Sequence, residues 1–75
     1  MEERVKRIMA EILGIKQESI NSKTTPDTVK EWDSLKHMQL ILALEEEFSV
    51  EIPDEFIDKM LNVDMIFSVL RNLVE

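Results

Sequence analysis

The chain has 75 residues, no cysteine and a formal net charge of −7 at pH 7. This length suits one small domain, and without cysteine the chain has no disulfides, thiolate metal sites or cysteine nucleophile. The negative charge is concentrated in residues 34–75, which contain nine acidic and three basic residues. Because this half repels phosphate backbones, we expect no nucleic-acid binding and expect basic protein partners instead.

The chain shows no targeting or membrane segment. No stretch approaches the roughly 18 apolar residues of a membrane span, and the opening Met1-Glu2-Glu3-Arg4 does not resemble a secretory signal. We find no repeat and no second domain. We therefore expect one domain over residues 1–75, a monomeric state and a cytoplasmic location.

The first predicted helix covers about residues 3–13. Its apolar residues recur at i, i+3, i+4 and i+7, which predicts one buried face; they are Val5, Ile8, Met9 and Ile12. Gly14 is a suitable stop for this helix, because glycine readily adopts the left-handed conformation of a helix end.

Residues 15–33 form a long connector. Pro26 disfavours helical geometry at Thr25, and the residues around it favour turns. Connectors of this length are unusual in compact domains, and they tend to be functional or partly structured. We expect its apolar side chains to fix it to the core; they are Ile15, Ile20, Val29 and Trp32.

Three further helices are predicted, at residues 34–48, 53–60 and 63–74. Asp33 or Ser34 caps the first of them, Pro53 suits the first turn of the short one, and Asn62 or Asp64 begins the last. The predicted core stripe of the last helix is Val63, Ile66, Phe67, Leu70, Leu73 and Val74. The fold class is therefore an all-α bundle of three long helices and one short helix, with a long loop between the first two.

The helix at residues 34–48 has two separate apolar stripes when its residues are placed at about 100° intervals. The core stripe consists of Leu40, Ile41, Leu44 and Phe48. The second stripe consists of Leu35, Met38 and Leu42, with Glu45 and Glu46 at its margins. Periodicity leaves two interpretations open for the second stripe: it packs beneath the connector, or it is exposed to a partner with an apolar groove and a basic rim.

Asp33-Ser34-Leu35 opens this helix, an acidic run at residues 44–48 closes it, and Glu51-Ile52-Pro53-Asp54-Glu55 follows. This order resembles the acyl carrier proteins of fatty-acid and polyketide synthesis, and residues 2–8 and 13–18 look like that family too. The likeness covers essentially the whole chain, which makes it far more specific than an isolated Asp-Ser-Leu tripeptide. It implies a four-helix bundle of acyl-carrier type and a non-catalytic carrier.

By this resemblance, Ser34 is the attachment residue for a 4′-phosphopantetheine arm, which a phosphopantetheinyl transferase moves from coenzyme A. Asp33 would be recognised by the transferase, and Leu35 completes the motif. A phosphate on Ser34 would lie near the unpaired N–H groups and positive dipole end of a helix. The arm would supply the thiol for a thioester, since the chain has none of its own. An ordinary N-cap pair is the structural alternative for Asp33 and Ser34.

The resemblance also makes this helix the docking face for acyl-loading and acyl-transfer enzymes with basic patches. The residues carried over by position are Leu35, Met38, Gln39, Leu42, Glu45 and Glu46. A sequestered acyl chain would lie between the second and third helices. Its lining would be Phe48, Ile52, Ile57 and Leu61, each of which is equally interpretable as plain core.

Four residues depart from the common fatty-acid type: Trp32, Lys36, His37 and Gln39. Lys36, His37 and Gln39 make the start of the helix less acidic, and altered charge is a common means of specificity. Trp32 stands where the common type usually has a small residue. We therefore expect a specialised carrier in a dedicated pathway. Its cargo stays open between acyl groups and the aminoacyl or peptidyl groups of a related type of carrier.

Three other interpretations were weighed. Ser34, His37 and Asp33 contain the residue types of a hydrolytic triad, but Asp33 is badly placed to orient the imidazole. The run Glu45-Glu46-Glu47 is a poor metal site because consecutive helical residues point in different directions. We therefore expect neither catalytic nor metal-binding residues. An unmodified helical interaction module, which would use the second stripe alone, shares the fold and stays open.

Overall fold

The computed structural model describes residues 1–74, which form four α-helices and one short 3-10 turn and contain no strand. The helices are α1 (Glu2–Leu13), α2 (Ser34–Phe48), α3 (Asp54–Ile57) and α4 (Val63–Val74), and the 3-10 turn is Gln17–Ser19. This confirms the all-α bundle of three long helices and one short helix. No helix in residues 1–74 is long and apolar enough to cross a membrane.

α1 begins and ends at positions with clear local causes. Glu2 and Glu3 lie in its first turn, where negative charge interacts favourably with the positive end of the helix dipole. Gly14 adopts φ +70° and donates its N–H to the carbonyl of Ala10 at 2.9 Å, so it ends the helix as predicted. The face that α1 buries consists of Val5, Ile8, Met9 and Leu13, with Ile12 partly buried beside it.

The core lies between the three long helices. α2 contributes Leu40, Ile41 and Leu44, and α4 contributes Val63, Ile66, Phe67, Val69 and Leu70. The prediction that Val74 belongs to this core is wrong, because Val74 is 47% exposed. It lies in the last turn of α4, whereas Leu73 is partly buried against the core.

The connector between α1 and α2 is structured and fixed to the core, as predicted. Ile20 and Trp32 are buried, and Ile15 and Val29 pack partly against the core. Thr24 is also buried; its hydroxyl accepts from the N–H of Asn21 at 2.9 Å. Its carbonyl accepts from the N–H of Val63 at 3.2 Å, which ties the connector to the start of α4.

α3 is shorter than predicted. It covers Asp54–Ile57, and the expected continuation to residue 60 forms tighter turns. There the N–H of Lys59 bonds to the carbonyl of Phe56, and that of Met60 to the carbonyl of Ile57. These i→i+3 bonds replace the i→i+4 bonds of an α-helix. Met60, at the end of this segment, is fully buried.

Candidate functional site

The amino end of α2 is capped by Asp33, which leaves Ser34 as the first helical residue. Asp33 has an extended backbone, and its Oδ1 accepts from the N–H of Lys36 at 2.8 Å. Its carbonyl accepts from the N–H of His37, also at 2.8 Å. The sequence left the cap open between Asp33 and Ser34; with Asp33 in that role, the exposed Ser34 side chain is not needed to cap the helix.

A groove of about 420 Å³ lies beside Ser34, between the start of α2, the end of α3 and the connector. Its lining combines apolar side chains with a few polar ones; the residues are Pro26, Trp32, Asp33, Ser34, His37, Met38, Ile57, Asp58 and Leu61. The groove therefore offers an apolar surface directly next to the Ser34 hydroxyl.

Two hydrogen bonds at the inner side of this groove join the connector, α2 and α3. The indole Nε1–H of Trp32 donates to Nδ1 of His37 at 3.0 Å, and Nε2 of His37 lies 2.8 Å from the carbonyl oxygen of Ile57. Because an indole N–H only donates and a carbonyl only accepts, this pattern requires neutral His37 with its proton on Nε2. We call these three residues the histidine bridge.

The histidine bridge removes the hydrolytic interpretation of Ser34, His37 and Asp33. His37 is buried, at only 6% exposed. Both of its ring nitrogens are occupied by Trp32 and Ile57, so neither pairs with Ser34. The Asp33 carboxylate bonds to the Lys36 backbone instead of orienting the imidazole. The arrangement that serine hydrolysis needs is therefore not assembled here.

The second stripe is exposed, so it does not pack beneath the connector. Leu35 is 66% exposed, Met38 45% and Leu42 62%. Gln39, on the same turn as Met38, is exposed too. The described residues thus present a row of large apolar side chains along α2, starting one residue after Ser34.

The three consecutive glutamates at the end of α2 are used differently. Glu45 accepts the N–H of Ile52 at 2.7 Å and so holds the segment that follows the helix. Glu46 is exposed. Glu47 pairs with Arg4 at 2.8 Å and with Arg7 at 3.4 Å, on the α1 side. Within residues 1–74, no three His, Cys, Asp or Glu side chains are grouped to hold a metal ion.

The predicted acyl lining is only partly assembled at the groove. Ile57 and Leu61 line it, but Phe48 and Ile52 do not. Phe48 packs instead beneath the guanidinium of Arg4, which lies 4.6 Å from the ring centroid. Ile52 is buried in the core. Trp32 and His37 were not predicted as groove residues. The only signal in the sequence was that both side chains need polar partners when buried and that they lie five residues apart.

Comparison with known protein families matches residues 3–70 to the family described as "Phosphopantetheine attachment site". The matched range contains all of α2, the groove residues and the histidine bridge.

Proposed function

The chain belongs to the phosphopantetheine attachment family, and we propose on this premise that it carries acyl groups as thioesters on a 4′-phosphopantetheine arm attached to Ser34. Proteins of this family are carriers that are generally non-catalytic, and the arm is their covalent cofactor. The observation that supports Ser34 most directly is its exposure at the first position of α2, beside an open groove. When attached, the arm supplies the thiol that this chain lacks.

The residues at the start of α2 fit this modification chemically. The Ser34 oxygen attacks the pantetheine-bearing phosphorus of coenzyme A; a serine O–P bond forms, the pyrophosphate P–O bond breaks, and adenosine 3′,5′-bisphosphate leaves. The serine proton passes to a base of the transferase. The helix N-terminus favours the negative phosphodiester that results. Asp33, exposed and fixed by its bond to Lys36, is a rigid feature for the transferase to recognise.

We propose the second stripe as the docking face for the transferase and for acyl-loading and acyl-transfer enzymes. Its exposure at Leu35, Met38 and Leu42 supports this role, as does the acidic surplus of residues 34–75. Gln39 and Glu46 add exposed polar contacts, whereas Glu45 contributes its charge from a fixed position. A partner with an apolar groove and a basic rim fits this surface.

The departures noted in the sequence support a specialised carrier in fatty-acid, polyketide or related biosynthesis. Two of them, Trp32 and His37, build the histidine bridge beside the attachment residue, so they shape the groove itself. An aminoacyl or peptidyl cargo is the alternative, because such groups would hang on the same arm. The monomeric state and the cytoplasmic location stay predictions.

Intact-mass spectrometry tests the attachment. The protein is incubated with coenzyme A and a promiscuous phosphopantetheinyl transferase, and the wild-type mass should rise by one arm. Ser34→Ala should gain nothing, while Ser68→Ala, a matched change at an exposed serine of α4, should gain the full increment. An unchanged wild-type mass would reject the carrier function and favour an unmodified interaction module. A modified Ser34→Ala would reject the assignment of the arm to Ser34.

A further inference from the structure

We propose that the histidine bridge closes the space between α2 and α3 to the tethered cargo, so that this carrier holds short acyl groups on its surface and does not enclose long ones. This inference rests on the proposed attachment at Ser34, and it concerns what the arm carries.

The bridge lies where a chain attached at Ser34 would have to pass inward. His37 is one helical turn beyond Ser34 and forms part of the wall of the same groove. Trp32 reaches His37 from the connector, and the Ile57 carbonyl reaches it from the end of α3. The passage from the groove into the interior is therefore crossed by two hydrogen bonds.

Opening this passage would leave buried polar groups without partners. Trp32 and His37 are 3% and 6% exposed, so water does not reach them freely. An alkyl chain offers neither a donor nor an acceptor to replace the broken bonds. Unsatisfied buried groups are unfavourable, and here the indole N–H and the imidazole would lose their partners, while the Ile57 carbonyl would keep only the N–H of Met60.

The core that the bridge borders is already filled. Leu40, Leu44 and Met60 are fully buried in the same hydrophobic cluster as Trp32. Inserting an alkyl chain among close-packed side chains forces them from their preferred rotamers. Both the passage and the interior thus oppose enclosure of the cargo.

What remains is the surface groove of about 420 Å³, where Met38 and Leu61 provide apolar contact. A short acyl group can lie there. Because the groove is open to solvent, a long alkyl chain lying in it would keep much of its apolar area in water, which is unfavourable in proportion to that area. The structure therefore assigns this carrier to short acyl cargo.

The test loads acetyl, butyryl, octanoyl and lauroyl arms onto Ser34 from the corresponding coenzyme A thioesters, with mass spectrometry to verify each product. We expect the midpoint of thermal unfolding to differ by less than about 1 °C across the series, because an open surface groove buries little of the added apolar area. Amide chemical shifts should change near Ser34, Met38 and Leu61, and those of Leu40, Leu44 and Met60 should stay unchanged.

Two variants open the bridge. Trp32→Phe removes the indole N–H but keeps an aromatic ring, and His37→Ala removes the central side chain. In whichever of them folds, the lauroyl form should unfold about 4 °C or more above the acetyl form, since the chain can now enter. Asn72→Ala, a change at an exposed position of α4 away from the docking face, should behave like wild type.

The outcomes separate the two proposals. Failure to load Ser34 at all would reject the carrier function and this inference with it. Complete loading followed by a steady rise of the wild-type midpoint with chain length would reject the inference alone. Long-chain shift changes at Leu40, Leu44 or Met60 in wild type would reject it as well.

Discussion

The two apolar faces of α2 use the same kinds of residues in opposite environments. Leu40 and Leu44 on the core stripe are fully buried, whereas Leu35 and Leu42 on the second stripe are more than half exposed. Hydrophobicity alone therefore does not distinguish them; what differs is whether another element lies opposite. In a domain this small, leaving a row of leucine and methionine unpacked forgoes stabilisation, and such surfaces typically mark interaction sites.

The largest expected difference between the two faces is in folding stability. Leu44→Ala should lower the free energy of unfolding by about 2–5 kcal/mol, because it removes buried methyl groups and leaves a cavity. Leu42→Ala should change it by about 0.5 kcal/mol or less, because Leu42 is 62% exposed. Urea denaturation followed by circular dichroism measures both. Equal losses at the two positions would show that the second stripe is packed in solution.

Changes on the second stripe should have the larger effect when acyl transfer to or from a partner enzyme is measured. Met38→Glu places a charge in the proposed apolar contact, and we expect kcat/KM with the loaded carrier as substrate to fall at least about tenfold. Asn72→Glu adds the same charge to an exposed position of α4 and should change it less than about twofold.

Circular dichroism distinguishes the two reasons for which Met38→Glu could fail. A folded variant with impaired turnover supports docking through the second stripe. A folded variant with wild-type turnover would exclude this residue from the contact, and an unfolded one would assign Met38 to the core.

The two carboxylates at the margin of the second stripe, Glu45 and Glu46, should also differ in their contribution to folding stability, but by less than Leu44 and Leu42 do. Glu45→Ala removes the acceptor for the N–H of Ile52 and should cost about 1–2 kcal/mol of stability. Glu46→Ala, at an exposed neighbour, should cost about 0.5 kcal/mol or less. Glu45→Gln keeps an oxygen acceptor and should recover most of the loss in urea denaturation. No recovery would mean that the charge, and not the hydrogen bond, stabilises this segment.

The features of α2 that could be predicted are those with local causes. Its bounds follow from the Asp33 cap and the apolar spacing, and the separation of its two stripes follows from helix geometry alone. The exposure of the second stripe could not be predicted, because it depends on the path of the connector. The burial of His37 could not be predicted either. Its Nε2 partner is the backbone carbonyl of Ile57, twenty residues away, and because every residue has a carbonyl, the sequence does not indicate which one is the partner.

The limits of prediction at α3 and α4 have physical reasons as well. α3 was predicted too long because a few apolar residues fit an α-helix and a run of tighter turns equally well. Val74 continues the apolar stripe of α4, but no neighbouring element extends far enough to cover it. For the candidate site, the sequence indicated Ser34 and the second stripe, whereas the groove and the histidine bridge required three-dimensional contacts between distant segments.

The smallest expected effect concerns Glu47, which joins α2 to α1 on the side away from the second stripe. The hydrogen bond that Arg4 donates holds the pKa of the Glu47 carboxyl below its usual value of 4.5; partial burial opposes this shift, and the charges of Arg4 and Arg7 reinforce it. A lowered pKa in the folded state means that the ionised carboxylate stabilises the fold above pH 4.5. That contribution is lost as the pH falls through the lowered value.

Glu47→Gln should therefore unfold a few degrees at most below wild type at pH 7, and the difference should shrink as the pH falls from 4.5 toward the lowered pKa. Thermal unfolding of both proteins across this range measures it, and added salt at pH 7 should reduce it because the pair is partly exposed. Glutamine has nearly the same shape as glutamate, so a difference that persisted at low pH and high salt would mean that Glu47 acts through its hydrogen bond with Arg4 and not through its charge. In that case the charges at the acidic end of α2 would matter only at the margin of the second stripe.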